Sequence, residues 1–196
     1  MKDKFTKICN SMVERRMTID GISQNPESRS VTGYAIIFNS ESKDLGGFNE
    51  VIEPSALEGV LERSDVLCLL NHNEDKGVLA RCNHGKGSLS LEIDEKGLRY
   101  SFEAPNTSLG DELLEGIKRG DISTSSFAFK VGKDNWTKRS DGSYLRTINS
   151  ISSLFDVSPV YRAAYEATSV NTRGLEEAKA KDKDLDEYYT NLRNEL

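Results

Sequence analysis

Apolar and polar positions alternate along most of the chain in short runs, and turn-forming residues interrupt the runs at fairly regular intervals. That pattern predicts strands over 12–19 and 31–38, linked by the turn-rich stretch 25–30, and a short strand over 48–52. Pro54 suits the first position of a short helix. Residues 66–70 form a continuous apolar run, as expected of a buried strand, and end at the polar loop Asn71–Gly77. Strand character returns at 78–82. Residues 87–93 and 98–104 flank Asp94-Glu95-Lys96-Gly97, a hairpin signal. Ser108 with Asp111 resembles a capping box. Leu109, Leu113, Leu114 and Ile117 then recur at helical spacing, and Gly120 suits the stop. The remainder predicts a strand over 121–131, a hairpin centred on Asp141-Gly142, a strand over 152–160 and a last short one over 167–170.

Many short strands with two inserted helices predict an α+β, mainly β fold, an antiparallel β-barrel or sandwich with helices on its outside. Repeated βαβ units, G-x-G-x-x-G and a P-loop are absent. Beyond Gly174 the character changes. Residues 174–196 hold seven acidic and four basic side chains and few core residues, and read as an exposed helical or disordered tail. The expected division is a loose N-terminal segment 1–11, one domain over 12–173, and the tail 174–196.

Composition narrows the function. The chain has 196 residues, 36% hydrophobic and 30% charged, enough apolar material for one core. Its net charge of −6 and the lack of a basic stripe make nucleic acid a poor partner. No apolar run is long enough to span a membrane, and the charged residues 1–17 do not read as a secretory signal. The three cysteines, Cys9, Cys68 and Cys82, lack CxxC spacing, which argues against a disulfide scaffold or zinc site and suits a reducing compartment. A catalytic imidazole must be one of two residues, His72 or His84.

Alternation in 121–131 puts Phe127, Phe129 and Val131 on one face and Thr124, Ser126 and Ala128 on the other. Ser126 then faces either a groove or plain solvent. His72 sits where a buried strand meets a polar loop, and is either a surface histidine or an imidazole held by the strand. His84, between Asn83 and Gly85, reads as a solvated turn residue. In 154–158, Phe155 and Val157 should face the core. Asp156 is left opposite with Leu154 and Ser158, where a carboxylate needs a partner, either a core-edge ion pair or a functional group. Cys68, inside the apolar run, reads as an inert buried thiol.

Six segments in order carry a resemblance: Gly33 to Asn39, Glu50 to Ala56, Leu69 to His72, Gly97-Leu98 after an acidic turn, Arg119 to Phe129, and Leu154 to Val160. Over about 12–173 the chain resembles the prohead (capsid maturation) proteases of tailed bacteriophages, whose fold is similar to that of the herpesvirus assembly proteases. The resemblance implies a serine endopeptidase on a β-barrel with peripheral helices, with Ser126 as nucleophile, His72 as base and Asp156 as the acidic member, here Asp where Glu is commoner. It implies no cofactor and no metal. It implies action inside the procapsid, in the host cytoplasm, on scaffold or the scaffold-like segment of the capsid protein and on the protease itself, with a possible homodimer. By analogy with the herpesvirus enzymes, the turn around Arg162 would supply the oxyanion donors. Ala128 stands where Gly is usual, Ala80 where the pattern has Gly, and 161–165 departs from the usual Pro-Ala stretch. The rival class is an inactive scaffold- or capsid-binding protein that retains the barrel; a third is a β-barrel binding module of another lineage.

Overall fold

The computed structural model describes residues 13–18, 20–161 and 169–194. In chain order the elements are β1 (Glu14–Thr18), β2 (Ser23–Gln24), β3 (Ser30–Ile37), β4 (Phe48–Ile52), α1 (Val60–Arg63), β5 (Asp65–Cys68), β6 (Ala80–Asn83), β7 (Lys86–Gly87), β8 (Ser90–Ile93), β9 (Gly97–Glu103), α2 (Ser108–Arg119), β10 (Thr124–Lys138), β11 (Tyr144–Val160) and α3 (Ser169–Asn194). The α+β, mainly β class is met. The strands form two sheets, one of seven strands in the order β1-β10-β11-β5-β6-β7 with β4 also on β11, the other in the order β2-β3-β9-β8. Among the described residues they do not close into the expected barrel.

β10 and β11 dominate the larger sheet, and each is longer than its sequence run suggested. The hairpin turns at Gly142, whose φ of 86° is the left-handed region glycine tolerates. The pairing is interrupted by bulges. One bulge matters for function: Ala128 pairs with Asp156 but Phe129 pairs with Leu154, so Phe155 is an extra residue in β11. The extra residue resets the alternation. Leu154 and Val157 therefore both enter the core, and Phe155 is only half-buried. This corrects the expectation that Phe155 faces inward and Leu154 outward.

Two pairings are parallel, β4 with β11 over 144–148 and β5 with β11 at Asp156–Leu67, which departs from the all-antiparallel expectation. The cause is length. β11 lines β10 on one side and still has room on the other for two strands end to end. The two predicted strands on either side of the 25–30 link, β1 and β3, lie in different sheets, and it is the short β2 just before the link that pairs with β3. β1 joins β10, whereas β3 joins β9 in the second sheet. The expected strand 87–93 is split, with Gly87 in one sheet and Ser90 in the other.

The core lies between the sheets, with Val31, Ile36, Val66, Leu98, Tyr100, Phe127, Phe129, Ile148 and Val157 all nearly inaccessible. Each such apolar side chain contributes about 1.5–3 kcal/mol of burial. α2 adds Leu109 and Leu113 from one face. Its cap is Thr107, one residue before the expected Ser108; the Thr107 hydroxyl accepts from Gly110 N–H at 3.3 Å, and Gly120 ends the helix at φ 79°.

A second, smaller cluster joins Leu45, Phe48 and Tyr144 to Leu175 and Ala178 of α3, with Trp136 packed beside them. Tyr144 Oη also donates to Asp182 at 2.7 Å. The expected boundary at 173/174 thus falls inside a helix whose early turns dock on the sheet. Ser169 and Val170, expected in a strand, belong to this helix as well. No helix among the described residues is long and apolar enough to cross a membrane.

Between the small cluster and the core lies a buried ion network. Arg16 Nε donates to Glu50 at 2.8 Å and its Nη2 to Glu14 at 2.6 Å; Arg146 Nη1 donates to Glu14 at 2.7 Å and its Nε to Asp134 at 2.7 Å. Burial alone would push the Glu14 carboxyl up, but the two guanidiniums outweigh it and hold it below its ordinary value.

Candidate active site

Successive strand residues point to opposite faces, and at Ser125-Ser126 both faces are buried. Ser125 turns into the space between the sheets and shares a hydrogen bond of 2.8 Å with Tyr100 Oη. Ser126 turns to the other face, as its alternation with the Phe residues predicts. The polar outer face in solvent is thus overturned: Ser126 is only 4% exposed.

His72 reaches Ser126 from the end of β5. Asn71 and His72 take φ values of 56° and 58°, two left-handed residues in succession. Such backbone costs about 1–3 kcal/mol per residue and persists only where its surroundings hold it. Here Asn71 N–H donates to Pro159 O of β11 at 2.9 Å, and Asn73 N–H to Leu70 O at 3.2 Å. The turn throws the imidazole back over the sheet. His72 Nε2 lies 2.6 Å from Ser126 Oγ, and His72 Nδ1 lies 2.6 Å from Asp156 Oδ1.

Asp156 is aimed by the bulge at Phe155, which keeps the carboxylate on the Ser126 face although Leu154 has turned into the core. Ala128, its partner across the strands, leaves room for it. The structure therefore brings together Ser126, His72 and Asp156, three residues from distant parts of the chain. His84 does not join them; it is exposed in the β6–β7 turn beside Asn83. Cys68 is fully buried, and burial together with the Asp156 charge pushes its thiol well above the ordinary range, in keeping with an inert residue. The Arg162 turn and Cys9 lie outside the described residues.

Two further groups meet this set and were not singled out from the sequence. Ser158 Oγ donates to Asp156 Oδ1 at 2.7 Å; its place on the Asp156 face was readable, its contact was not. Ser126 Oγ also lies 2.9 Å from the backbone carbonyl of Arg16 in β1, a contact no side-chain pattern encodes.

With its Nδ1–H donated to Asp156, the imidazole presents the Nε2 lone pair to the Ser126 hydroxyl. That arrangement can move a proton off Oγ and stabilise the cation it creates. Along β11 next to Asp156, whose partner in β5 is Leu67, a groove is lined by Leu67, Val78, Leu79 and Phe155 together with Asp65, Glu74 and Arg81, and takes in none of the three residues. A separate cavity of about 420 Å³ lies along β1, between Met17, Ile36, Ile52 and Phe127, and takes in none of the three residues.

The sequence profile of the caudovirus prohead serine proteases matches residues 16–182. The chain belongs to that family. The match runs from β1 into α3 and so spans both sheets and the docked turns of the last helix. No curated protein matches the chain. Among solved structures the chain is similar to the capsid assembly protease of bacteriophage T4, at 12% identity and a TM-score of 0.42, over 77% of this chain and 97% of that one. As a prohead serine protease the chain is a hydrolase of the serine type that serves phage capsid maturation.

Proposed function

We propose that this prohead protease is an endopeptidase in which Ser126 is the nucleophile, His72 the general base and acid, and Asp156 the group that orients His72. The observation that carries the reading is the unbroken hydrogen-bonded run from Ser126 Oγ through both ring nitrogens of His72 to Asp156 Oδ1. A serine hydroxyl is a poor nucleophile unless a base takes its proton. His72 Nε2 accepts that proton as Oγ attacks the scissile carbonyl carbon, and Asp156 stabilises the imidazolium. The proton then passes to the leaving amine. Water, activated by the same nitrogen, cleaves the acyl-enzyme and restores Ser126. The Arg16 carbonyl competes with His72 for the hydroxyl proton, so the resting serine has two acceptors and attack draws on one of them.

The substrate in this reading is scaffold, or the scaffold-like segment of the capsid protein, together with the protease itself, inside the procapsid. The Leu67–Phe155 groove is the natural seat for an apolar substrate side chain next to the scissile bond. Enclosure raises protease and substrate concentration together, and self-association inside the shell belongs to the same reading.

The test is co-production of the full chain with the capsid and scaffold proteins of its phage, read by mass spectrometry. New peptide ends should form with the native chain and vanish with Ser126→Ala. Identical fragments from both, or none from either with every chain folded, would instead fit a capsid-binding protein that keeps the fold without the chemistry.

A further inference from the structure

Ser158 is fully buried in β11, and its one hydroxyl proton goes to Asp156 Oδ1. That oxygen is the same one that meets His72 Nδ1. Ser158 also stands directly opposite Ser126 in the β10–β11 register, which puts the two hydroxyls side by side on one sheet face. Torsion about the last bond of an aspartate side chain is broad, so nothing intrinsic decides the angle at which the carboxylate plane meets the imidazole. A donor fixed to the same strand two residues on decides it.

We propose that Ser158 is a positioning residue for the reaction: it holds the Asp156 carboxylate in the orientation that meets His72 and disperses part of its charge. The proposal rests on the triad reading above. Few titratable groups meet the pair. β11 supplies Asp156 itself, and β5 supplies the Cys68 thiol, which is kept neutral by burial. β10 presents the Ser126 hydroxyl. β1 presents the Arg16 carbonyl, and the Arg16 guanidinium is engaged with Glu14 and Glu50.

Two variants of the full chain separate a hydroxyl effect from a packing effect. Ser158→Ala removes the donor. Ser158→Cys keeps nearly the same volume and donates only weakly, and it carries the test should the alanine chain fail to fold. The readout is the rate of covalent labelling of Ser126 by a fluorophosphonate from about pH 5 to pH 9, across the range where an imidazole switches charge, with Ser126→Ala as the blank.

Both variants should slow the maximal labelling rate roughly 10- to 100-fold, the worth of a hydrogen bond to a charged group, at an unchanged half-saturating probe concentration. The acid limb of the profile should also move to higher pH, because an undispersed carboxylate holds the imidazolium proton more tightly. A cysteine variant that labels at the native rate would overturn the proposal, as would variants slowed by one factor at every pH with the limb unmoved. A native chain that does not label, or labels equally after Ser126→Ala, would overturn the triad reading and the Ser158 role with it.

Discussion

Ser125 and Ser126 are neighbours in sequence with separate surroundings, and substitution should tell them apart. Ser126→Ala and His72→Ala should each lower turnover by about 10⁶ and Asp156→Asn by about 10⁴, as in a serine protease whose parts act as a unit. Ser125→Ala should leave the chemistry in place and strip the buried Tyr100 hydroxyl of its partner, at a cost of about 1–3 kcal/mol of stability. Turnover on scaffold and thermal melting of the same four variants check both statements; an inactive Ser125→Ala chain with a normal melt would reverse the two roles. The orientation of Ser126 was legible because the Phe-Ala-Phe alternation after it is strict. Asp156 was placed on the right face for an incomplete reason, since a bulge leaves no mark in a hydrophobic pattern and Phe155 looked like a core residue. The left-handed backbone of Asn71 and His72 depends on a hydrogen bond to a strand 88 residues further on, and local sequence does not announce it.

At the scale of elements, the ion network fastens β1, β4, β10 and β11 to one another. Its charges come from Glu14, Arg16, Glu50, Asp134 and Arg146, so no single stretch of sequence reveals it. The Glu14 carboxyl is held below its ordinary 4.5 when folded. The unfolded chain therefore binds that proton more readily, so the contribution is full above the unfolded value and is lost as pH falls through the folded one. Stability should drop on acidification through that window. Arg146→Met removes one of the two cations that oppose burial, and should cost about 3–5 kcal/mol and move acid unfolding to higher pH. Urea unfolding at a series of pH values measures both; an unchanged acid midpoint in Arg146→Met would show that Arg16 alone suffices. α3 offers a second prediction. Leu175 is 3% exposed against Phe48 and Tyr144, so Leu175→Ala should cost about 2–5 kcal/mol, whereas a solvated tail would give no effect. The density of charge after Gly174 hid this contact, because Leu175 and Ala178 are few among many acids and lysines.

For the molecule as a whole, class and most strands could be read from alternation, but the arrangement of sheets could not. Which strands meet β11 depends on its full length, and its bulges make two short predicted runs into one long strand. The domain proposed from this arrangement runs from β1 through at least Ala178. Limited proteolysis of the native chain should therefore leave a fragment that keeps Ala178, identified by its mass; efficient cutting between 173 and 178 would show that the helix is undocked. One last consequence follows from where the site residues lie in the chain. His72 meets partners 54 and 84 residues away, and the most distant of them is near the end of β11. During synthesis Ser126 and His72, the nucleophile and base of the proposed reading, emerge from the ribosome well before Asp156 and the strand that anchors the Asn71 turn. A nascent or half-folded chain thus carries a serine and a histidine that have not yet met Asp156, and on the proposed triad full cleavage activity waits until translation has passed β11.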